Sequence, residues 1–309
     1  MKYVIAVDGG GTKTNVLCAD ENGTVVGTGL SGPTNLTSTS VGAASFNLRE
    51  VIRQATQALP PETTYDQLVM GLAGMDSEEE RQLAENMFSE VFSQFSVTNF
   101  TLVNDAIIAL ENGSDQPNAI IIISGTGSNC YGKNSAGITA RTGGMDFLLT
   151  DQGSGYAIGR QVLREAVKSH DGRRSKSILE EMVLQHFKIT SISQLKHKVY
   201  NPLLSKVEIG GLARICTAAY AQNDQAAHEI IHKAVADLFL MLKTLIEKLE
   251  LEDQNFDCIF AGAVVQLPVI KDPLVEELTR TYSGLNLVFP ENPPVNGALK
   301  MALAKLRQQ

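Results

Sequence analysis

The segment VDGGGTKTN, residues 7–15, places an acidic residue beside three consecutive glycines and a Thr-Lys-Thr run. The apolar residues before it predict a buried strand over residues 3–8, and residues 15–19 predict a second strand directly after it. A glycine-rich turn between two strands exposes backbone N–H groups that side chains do not cover, and such a concave loop binds phosphate oxygens. Asp8 lies beside this loop, where a Mg²⁺ ion bound through water would offset the repulsion between its carboxylate and a phosphate.

The same pattern returns in the second half of the chain. An apolar strand is predicted over residues 119–123, and the Gly/Thr-rich stretch SGTGS, residues 124–128, follows it. Two more strands come next, at 129–132 and 138–142, just as two strands follow the first loop. This repetition indicates a duplicated supersecondary unit. We therefore expect both Gly/Thr loops to bind phosphate, since matching positions in a repeat are not typical of accidental turns.

The rest of the pattern predicts an α/β protein with two domains. A length of 309 residues is typical of two domains, and Gln-Pro-Asn at 116–118 suits a boundary. We therefore expect domains at 1–118 and 119–309, with the C-terminal helix, 296–306, packing back on the first. Other helices are predicted over 40–58, 78–95, 106–112, 155–169, 175–187, 209–221 and 225–250, and other strands over 24–28, 68–73, 100–103, 257–260 and 285–289.

Composition excludes several classes of function. The net charge of −8 argues against a nucleic-acid partner, because binding a phosphate backbone needs clustered Lys and Arg. No apolar run approaches the ~20 residues that span a bilayer, so we expect no membrane partner. The four cysteines are far apart and form no Cys-x-x-Cys pair, which predicts free thiols in a reducing cytoplasm. They are Cys18, Cys130, Cys216 and Cys258.

Other known motifs fit the sequence less well. A Walker A loop requires Gly-Lys-Ser/Thr, whereas Lys13 follows Thr12, and the dinucleotide fingerprint requires a helix where residues 15–19 predict a strand. The segment HEIIH, residues 228–232, matches a zinc-protease pattern. The apolar stripe of the helix predicted over 225–250 already gives that segment a packing role, so we expect no zinc site there.

Six motifs follow one another along nearly the whole chain, and together they resemble one family. They are DGGGTKT (8–14), GPTN (32–35), LVNDA (102–106), ISGTGSNCYG (123–132), DQGSGYAIG (151–159) and FAGAVV (260–265). The sequence resembles the N-acetylglucosamine kinase and BadF/BadG/BcrA/BcrD ATPase family, within the sugar kinase, Hsp70 and actin superfamily. This resemblance implies two ribonuclease-H-like (actin-like ATPase) domains that close on ATP, Mg²⁺ and a sugar in an interdomain cleft, and a homodimer.

The resemblance also implies roles for individual residues, with Asp105 as the catalytic base. The first phosphate loop would contain Asp8, Gly10, Gly11, Thr12 and Lys13, the second Gly125, Thr126 and Gly127, and the adenosine would lie at Gly211, Gly262 and Ala263. The amino-sugar contacts would be Asn35, Asp105, Ser128, Asn129, Gly144, Met145 and Asp151.

Asp105 has support from chemistry as well. Phosphoryl transfer to a hydroxyl needs a carboxylate within reach of the attacking oxygen. Asp105 follows the strand predicted over 100–103, at the kind of strand end where ligand clefts of α/β sheets open. Capping of the next helix is the structural alternative for Asp105, and also for Asp151, which precedes a helix entry at residues 153–155.

Two positions depart from the family pattern where the sugar is expected. Met145-Asp146 stands where the family usually has Trp after paired glycines, and Gln152 replaces a Glu. We expect phosphorylation of the 6-hydroxyl of N-acetylglucosamine, with N-acetylmuramic acid or glucosamine as alternative acceptors. The lactyl carboxylate of N-acetylmuramic acid would meet the negative Asp146 unless a basic side chain such as Arg141 compensates.

Two other functions stay open from the sequence. The ATPases that activate dehydratases belong to the wider family and hold an iron–sulfur cluster through cysteines at a dimer interface, which the scattered cysteines argue against. A non-catalytic sugar-binding regulator is the third reading. No helix-turn-helix segment precedes the first strand, so we expect no DNA-binding output.

Overall fold

A computed structural model of the chain describes residues 1–35 and 39–308. It divides into two compact units: unit 1 comprises Met1–Ile121 with Val288–Gln309, and unit 2 comprises Ile122–Leu287. The first boundary lies close to the one predicted after residue 118. The C-terminal segment belongs to unit 1, so unit 2 does not continue to residue 309 as a simple division into halves would have it.

Unit 1 is built on a five-stranded sheet in the order β3-β2-β1-β4-β5. Its first three strands form an antiparallel meander, and β4 and β5 add to β1 as parallel strands. The elements are β1 (Tyr3–Gly9), β2 (Thr14–Asp20), β3 (Val25–Ser31), α1 (Val41–Thr56), β4 (Gln67–Leu72), α2 (Glu78–Gln94), β5 (Phe100–Asn104), α3 (Asp105–Gly113) and, near the C-terminus, α12 (Val295–Arg307).

The first strand is buried on both faces, and its alternating residues contribute to two separate cores. Ile5 and Val7 pack in a cluster with residues of α1 and α2, whereas Val4 and Ala6 pack in a second cluster with residues of α3 and α12. Successive side chains of a strand point to opposite faces, so an all-apolar strand requires helices on both sides of the sheet. The C-terminal helix is therefore needed to cover one face of the first sheet.

Unit 2 repeats the strand order of unit 1. Its sheet, read from the matching edge, runs β8-β7-β6-β9-β10. Each strand takes the place of its counterpart in unit 1, so β6 corresponds to β1, and β10 to β5. The duplication predicted from the two Gly/Thr loops is thus present at the level of topology. The strands are β6 (Ala119–Ser124), which begins at the boundary between the units, β7 (Ser128–Lys133), β8 (Thr139–Gly143), β9 (Phe256–Ala261) and β10 (Leu285–Val288).

Several helices of unit 2 differ from the sequence prediction. The helix predicted over 209–221 is two helices that meet at Leu212, and the helices at 146–149, 195–200 and 268–281 were not predicted. The helices are α4 (Asp146–Leu149), α5 (Gly155–His170), α6 (Ile178–Phe187), α7 (Leu195–Tyr200), α8 (Lys206–Gly211), α9 (Ala213–Tyr220), α10 (Gln225–Lys248) and α11 (Pro268–Thr281), with a 3-10 turn at Ile192–Gln194.

The contact between α12 and α3 depends on a glycine. A Cβ atom added at Gly297 would lie 1.8 Å from the carbonyl oxygen of Ile108 and 2.7 Å from the backbone nitrogen of Asn112. Both are backbone atoms, so no side-chain rotation could relieve the overlap. Only glycine lets the two helices approach this closely.

We predict that Gly297→Ala lowers the free energy of unfolding by about 3 kcal/mol, because α12 must move away from the sheet it covers. Urea denaturation followed by circular dichroism measures the change. The matched control is Gly42→Ala in α1, where an added Cβ would meet no atom within 4 Å. The free energy of unfolding of that variant should be unchanged or up to about 1 kcal/mol higher, because Ala favours the helix more than Gly does. Equal stabilities of the two variants would contradict the close-packing argument.

Candidate active site

The carboxyl ends of three parallel strands bring two acidic residues of unit 1 together. In the sheet register Asp8 of β1 lies opposite Gly71 of β4, and Leu72 lies opposite Asn104 of β5. Asp105 follows Asn104 directly and begins α3. Parallel strands end at the same edge, so residues far apart in sequence meet there. Asp8 is near enough for its charge to raise the pKa of Asp105.

The N-cap of α3 is Asn104, not Asp105. The Asn104 side chain accepts a hydrogen bond from the backbone N–H of Ala106 at 2.9 Å. Its amide nitrogen donates to the carbonyl oxygen of Met75 and to a carboxylate oxygen of Asp76, each at 3.0 Å. The capping role considered for Asp105 therefore belongs to its neighbour Asn104, and Asp105 is the first residue of the helix.

The Asp105 carboxyl has the chemistry of a proton acceptor at neutral pH. Burial raises its pKa, and the negative charges of Asp8 and Asp76 raise it further, to about 7, against the opposing effect of backbone N–H groups. A carboxylate with this pKa can both take a proton from a hydroxyl and exist unprotonated near pH 7. Asp76, which sequence reasoning missed, lies in a turn without a motif, so no sequence signal marked it.

The Asp8 carboxyl is also held in an unfavourable environment for its charge. Burial raises its pKa, although a hydrogen bond with the Asn15 side chain and the charge of Lys13 act in the opposite direction. Among the described residues no group of three metal-ligating side chains is placed to hold an ion. A single carboxylate with water and phosphate oxygens is, however, the usual manner in which Mg²⁺ is bound. The residues therefore fit a Mg²⁺ that arrives with its phosphates.

The first Gly/Thr loop is a tight turn that connects β1 and β2. The backbone N–H of Gly10 donates to the carbonyl oxygen of Lys13 at 3.0 Å, which closes the turn over Gly11 and Thr12. The carbonyl oxygen of Gly10 accepts from the N–H groups of Thr34 and Asn35, at 3.2 and 3.3 Å. The predicted sugar contact Asn35 is therefore held next to the predicted phosphate loop. The exposed side chains of Thr12 and Lys13 leave this loop open to a ligand.

The second Gly/Thr loop is fixed in unit 2 by the start of α5. The N–H of Gly125 donates to the carbonyl oxygen of Gly127 at 2.9 Å, and the carbonyl of Gly125 accepts from the N–H of Gly155 at 2.8 Å. The carbonyl of Thr126 accepts from the N–H of Tyr156 at 3.2 Å. A side chain would be tight at this contact, because a Cβ on Gly155 would lie 3.1 Å from the oxygen of Gly125.

The residues predicted at the adenosine surround the second loop. A Cβ on Gly155 would also lie 3.2 Å from the carbonyl oxygen of Gly210, which places the neighbouring Gly211 close to the loop. Gly262 has φ +95° and would clash with the oxygen of Ser124 at 2.4 Å if it carried a Cβ. The backbone nitrogen of Ala263 lies 4.0 Å from the Cβ position of Gly125. Three chain segments thus converge on one backbone-lined surface of unit 2.

Five of the seven predicted sugar contacts belong to unit 2, and Ser128 directly follows the same loop. Ser128 donates its N–H to Oδ1 of Asp151 at 3.0 Å and its hydroxyl to the carbonyl of Gln152 at 2.7 Å. Oδ1 of Asn129 is buried and has no hydrogen-bond partner among the described residues. A buried acceptor without a donor is costly in a folded protein, and a ligand hydroxyl or amide would satisfy it. Met145, by contrast, is exposed.

Asp151 is not the N-cap of α5. Ser154 caps that helix, since its hydroxyl accepts the N–H of Ala157 at 3.2 Å. Asp151 is buried, adopts φ +63°, and lies 2.8 Å from the ammonium of Lys206. Lys206 is a residue that sequence reasoning missed, because a single lysine at the start of a short helix has no recognisable pattern.

The basic partner of Asp146 is also Lys206, where the sequence analysis had suggested Arg141. Lys206 reaches Asp146 across 60 positions of sequence, so nearness in the chain gave no indication of this pair. The paired glycines before Asp146 have φ values of +74° and +79° and turn the chain out of β8. This turn carries Met145 and Asp146 toward the second loop.

The HEIIH segment contributes two buried isoleucines, Ile230 and Ile231, to the core of unit 2. The ring of His228 stacks on the ring of Tyr220, with centroids 3.9 Å apart. The ring of His232 contacts the ring of His228 edge-on, with centroids 6.1 Å apart. Throughout residues 1–35 and 39–308 no group of three potential ligands could hold a metal. In the same residues no helix is long and apolar enough to cross a membrane.

Comparison with known proteins identifies the family of this fold. Residues 5–302 match the model of the BadF/BadG/BcrA/BcrD ATPase family. The chain is 33% identical over 304 residues to the N-acetylmuramic acid/N-acetylglucosamine kinase of Clostridium acetobutylicum, with 98% of each chain covered. It is 28% identical over 313 residues to the N-acetyl-D-glucosamine kinase of Dictyostelium discoideum, with 97% of each covered.

A solved structure shows the same fold over the whole length. The crystal structure of a protein from Chromobacterium violaceum superimposes with a TM-score of 0.76 at 22% identity, covering 98% of this chain and 99% of the other. The fold class predicted from the sequence, α/β with two duplicated actin-like domains, is therefore confirmed.

We predict that Asp105→Asn stabilises the ligand-free protein in a pH-dependent manner. The folded state holds the Asp105 proton up to a pKa of about 7, far above the 3.8 of an ordinary aspartate, so stability falls as pH rises between these values. Asn mimics the neutral acid and removes this loss. The melting temperature should rise by several degrees at pH 8 and by much less at pH 5.

The control for this measurement is Asp253→Asn, which removes the same charge from an exposed turn. That variant should change the melting temperature little at either pH. A gain for Asp105→Asn that is the same at pH 5 and pH 8 would show that the Asp105 charge is not responsible.

Proposed function

The chain belongs to the BadF/BadG/BcrA/BcrD ATPase family, and from that premise we propose that it is an ATP-dependent kinase of amino sugars. The proposed reaction transfers the terminal phosphoryl group of ATP to the 6-hydroxyl of N-acetylglucosamine. The observation that carries this proposal is the Asp105 carboxyl, whose pKa of about 7 and position at the end of β5 suit a base that accepts a hydroxyl proton.

In the proposed mechanism Asp105 orients the sugar hydroxyl and accepts its proton as the oxygen attacks phosphorus. Phosphoryl transfer requires little covalent chemistry from the protein, so positioning and charge stabilisation account for most of the acceleration. The loop at residues 10–13 and the loop at 125–127 would hold the phosphates through backbone N–H groups. The two loops belong to different units.

Mg²⁺ is part of this proposal. Asp8 would hold it, and the ion would neutralise charge on the phosphates that the two loops cradle. The support is electrostatic: the pKa values of Asp8 and Asp105 are both raised, which means that protein charges alone do not compensate these carboxylates. A cation bound with the nucleotide would supply the missing compensation.

The acceptor is proposed as N-acetylglucosamine or a close relative. The relatives named above are kinases of N-acetylglucosamine, and one of them also has N-acetylmuramic acid in its name. A third relative, from Vibrio cholerae and 26% identical over 310 residues, is named a glucosamine kinase. The unsatisfied acceptor of Asn129 favours a ligand with amide or hydroxyl donors, which all three sugars carry.

The cysteines favour a kinase over the iron–sulfur ATPase of the same family. All four are buried as free thiols, and burial raises the pKa of the Cys18, Cys130 and Cys216 thiols to about 12. A cluster ligand must be a thiolate that the cluster can reach. We also propose a cytoplasmic protein without a nucleic-acid partner, which buried free thiols and a net charge of −8 support, and, from the resemblance to the family, a homodimer.

We predict that the wild type forms ADP from ATP only when an amino sugar is present, with N-acetylglucosamine preferred to glucose. Asp105→Asn should retain ATP binding and lose transfer by about 10²–10⁴-fold, since a general base contributes that much. A coupled ADP assay measures turnover, and calorimetry measures ATP binding. Near-normal turnover by Asp105→Asn would remove this residue from its proposed role.

We further predict that kcat/KM rises about tenfold per pH unit below pH 7 and is level above it. Only the unprotonated Asp105 can accept the proton, and its pKa is about 7 in the free protein. The residual rate of Asp105→Asn should show no inflection at this pH. A rate that falls as pH rises through 7 would assign the titration to a different group.

A further inference from the structure

Lys206 joins three parts of unit 2 that are far apart in sequence. Its ammonium nitrogen lies 2.8 Å from Oδ2 of Asp151 and forms a second ion pair with Asp146. The same nitrogen lies 5.7 Å from the centre of the Phe147 ring. It also lies 3.1 Å from where a Cβ on Gly127 would stand, at the tip of the second Gly/Thr loop. The lysine therefore lies against both the loop and the segment that carries Met145.

The two ion pairs of Lys206 are unequal. The side chain of Asp151 is 5% exposed, and its other carboxylate oxygen accepts the N–H of Ser128, so this partner is held in place. The side chain of Asp146 is 47% exposed and belongs to a single helical turn. An exposed ion pair contributes little to stability and exchanges readily with another anion. Asp146 is thus the replaceable partner and Asp151 the permanent one.

The ammonium of Lys206 has capacity for one more acceptor. An ammonium group has three donors, and the two carboxylates use two of them. The side chain is 30% exposed, so an anion from solvent can reach it. Burial lowers the pKa of Lys206, but the hydrogen bonds to Asp146 and Asp151 outweigh that effect and raise it, so the group is charged at neutral pH.

We propose that Lys206 is a specificity-determining residue that allows the kinase to accept amino sugars bearing a carboxylate. The inference rests on the proposed function, in which Asp151 and the Met145 segment border the acceptor. A carboxylate on an ether substituent of the ring, as in the lactyl group of N-acetylmuramic acid, would bind the ammonium and displace Asp146. Charge-assisted hydrogen bonds of this kind are among the stronger ones available to a ligand.

Without Lys206 the same place would repel an acidic sugar. Asp146 and Asp151 would then present two negative charges, and like charges at short range disfavour a third. With Lys206 the charge of the ammonium offsets one carboxylate, and release of Asp146 to solvent leaves a neutral pair that can receive the ligand. The sequence suggested that Asp146 would repel an acidic acceptor. Lys206, which lies 60 positions away in sequence, offsets this repulsion.

The test compares N-acetylmuramic acid with its neutral methyl ester, which have the same ring substituent apart from the charge. The quantity measured is the ratio of kcat/KM for the acid to that for the ester, with N-acetylglucosamine as a third acceptor. The wild type should favour the acid. Lys206→Met should lower the acid-to-ester ratio by about tenfold or more, because the charged partner is lost.

A second variant gives the opposite sign and leaves the buried Asp151 paired. Asp146→Asn retains the acceptor for the N–H of Phe147, and Asn tolerates the φ of +62° at this position. It should raise the acid-to-ester ratio about threefold or more, because a competing negative charge is removed. Lys243→Met, which removes an exposed positive charge from α10, is the control and should leave the ratio unchanged.

Three results would overturn the proposal. Equal losses on all three acceptors in Lys206→Met, with an unchanged ratio in Asp146→Asn, would make the lysine a structural residue only. A raised KM for ATP with an unchanged ratio would assign the ammonium to the nucleotide. A wild type that phosphorylates N-acetylglucosamine but not the acid would refute the inference and leave the proposed function standing, whereas transfer to no amino sugar would refute the proposed function itself.

Discussion

Three parallel strands of the first sheet end at one edge, and this geometric constraint places Asp8 next to Asp105. The two carboxylates repel each other, and burial adds to the cost of charging them. A protein selected for stability alone would pair or replace such groups, since uncompensated charges at the end of a sheet are unfavourable. Their retention indicates that a ligand completes the electrostatics, and a metal–nucleotide unit with an acceptor hydroxyl does so in the proposed reaction.

The second unit uses the same topology for a different task. Its strand order matches that of the first, and its Gly/Thr loop occupies the matching place after the first strand of the sheet. Around this loop the contacts are mainly backbone to backbone, with a glycine at 155 where a side chain would be tight and a glycine at 262 where one would clash. One copy of the duplicated unit thus supplies the acidic chemistry, and the other supplies a backbone surface and most of the predicted sugar contacts.

The proposed acceptor region combines a fixed part with an adaptable part. Ser128, Asp151 and the start of α5 are buried and hydrogen-bonded to one another. The short helix α4 beside them exposes Met145, Leu148 and Leu149 and is held by the Lys206 ion pair. Substitutions in such an exposed turn alter recognition with little effect on the core, which is where specificity within a family of kinases can diverge.

The sequence by itself determined the duplicated strand–loop–strand pattern, all ten strands of the described residues, and the clustering of glycines at the two loops. These features depend on local periodicity and on the special backbone freedom of glycine, which are readable without a fold. Asp105 could be assigned from its place at a strand end together with the chemistry of phosphoryl transfer.

Other features required the tertiary structure. The helix α11 was not predicted, and the roles of Asn104 and Ser154 as caps could be separated from those of Asp105 and Asp151 only by hydrogen-bond geometry. The raised pKa of Asp105 depends on Asp8 and Asp76, which are distant in sequence, and Lys206 reaches Asp146 across 60 positions. Periodicity and propensity act over a few residues, whereas charge interactions act through space, so only the folded chain decides which ionisable groups meet.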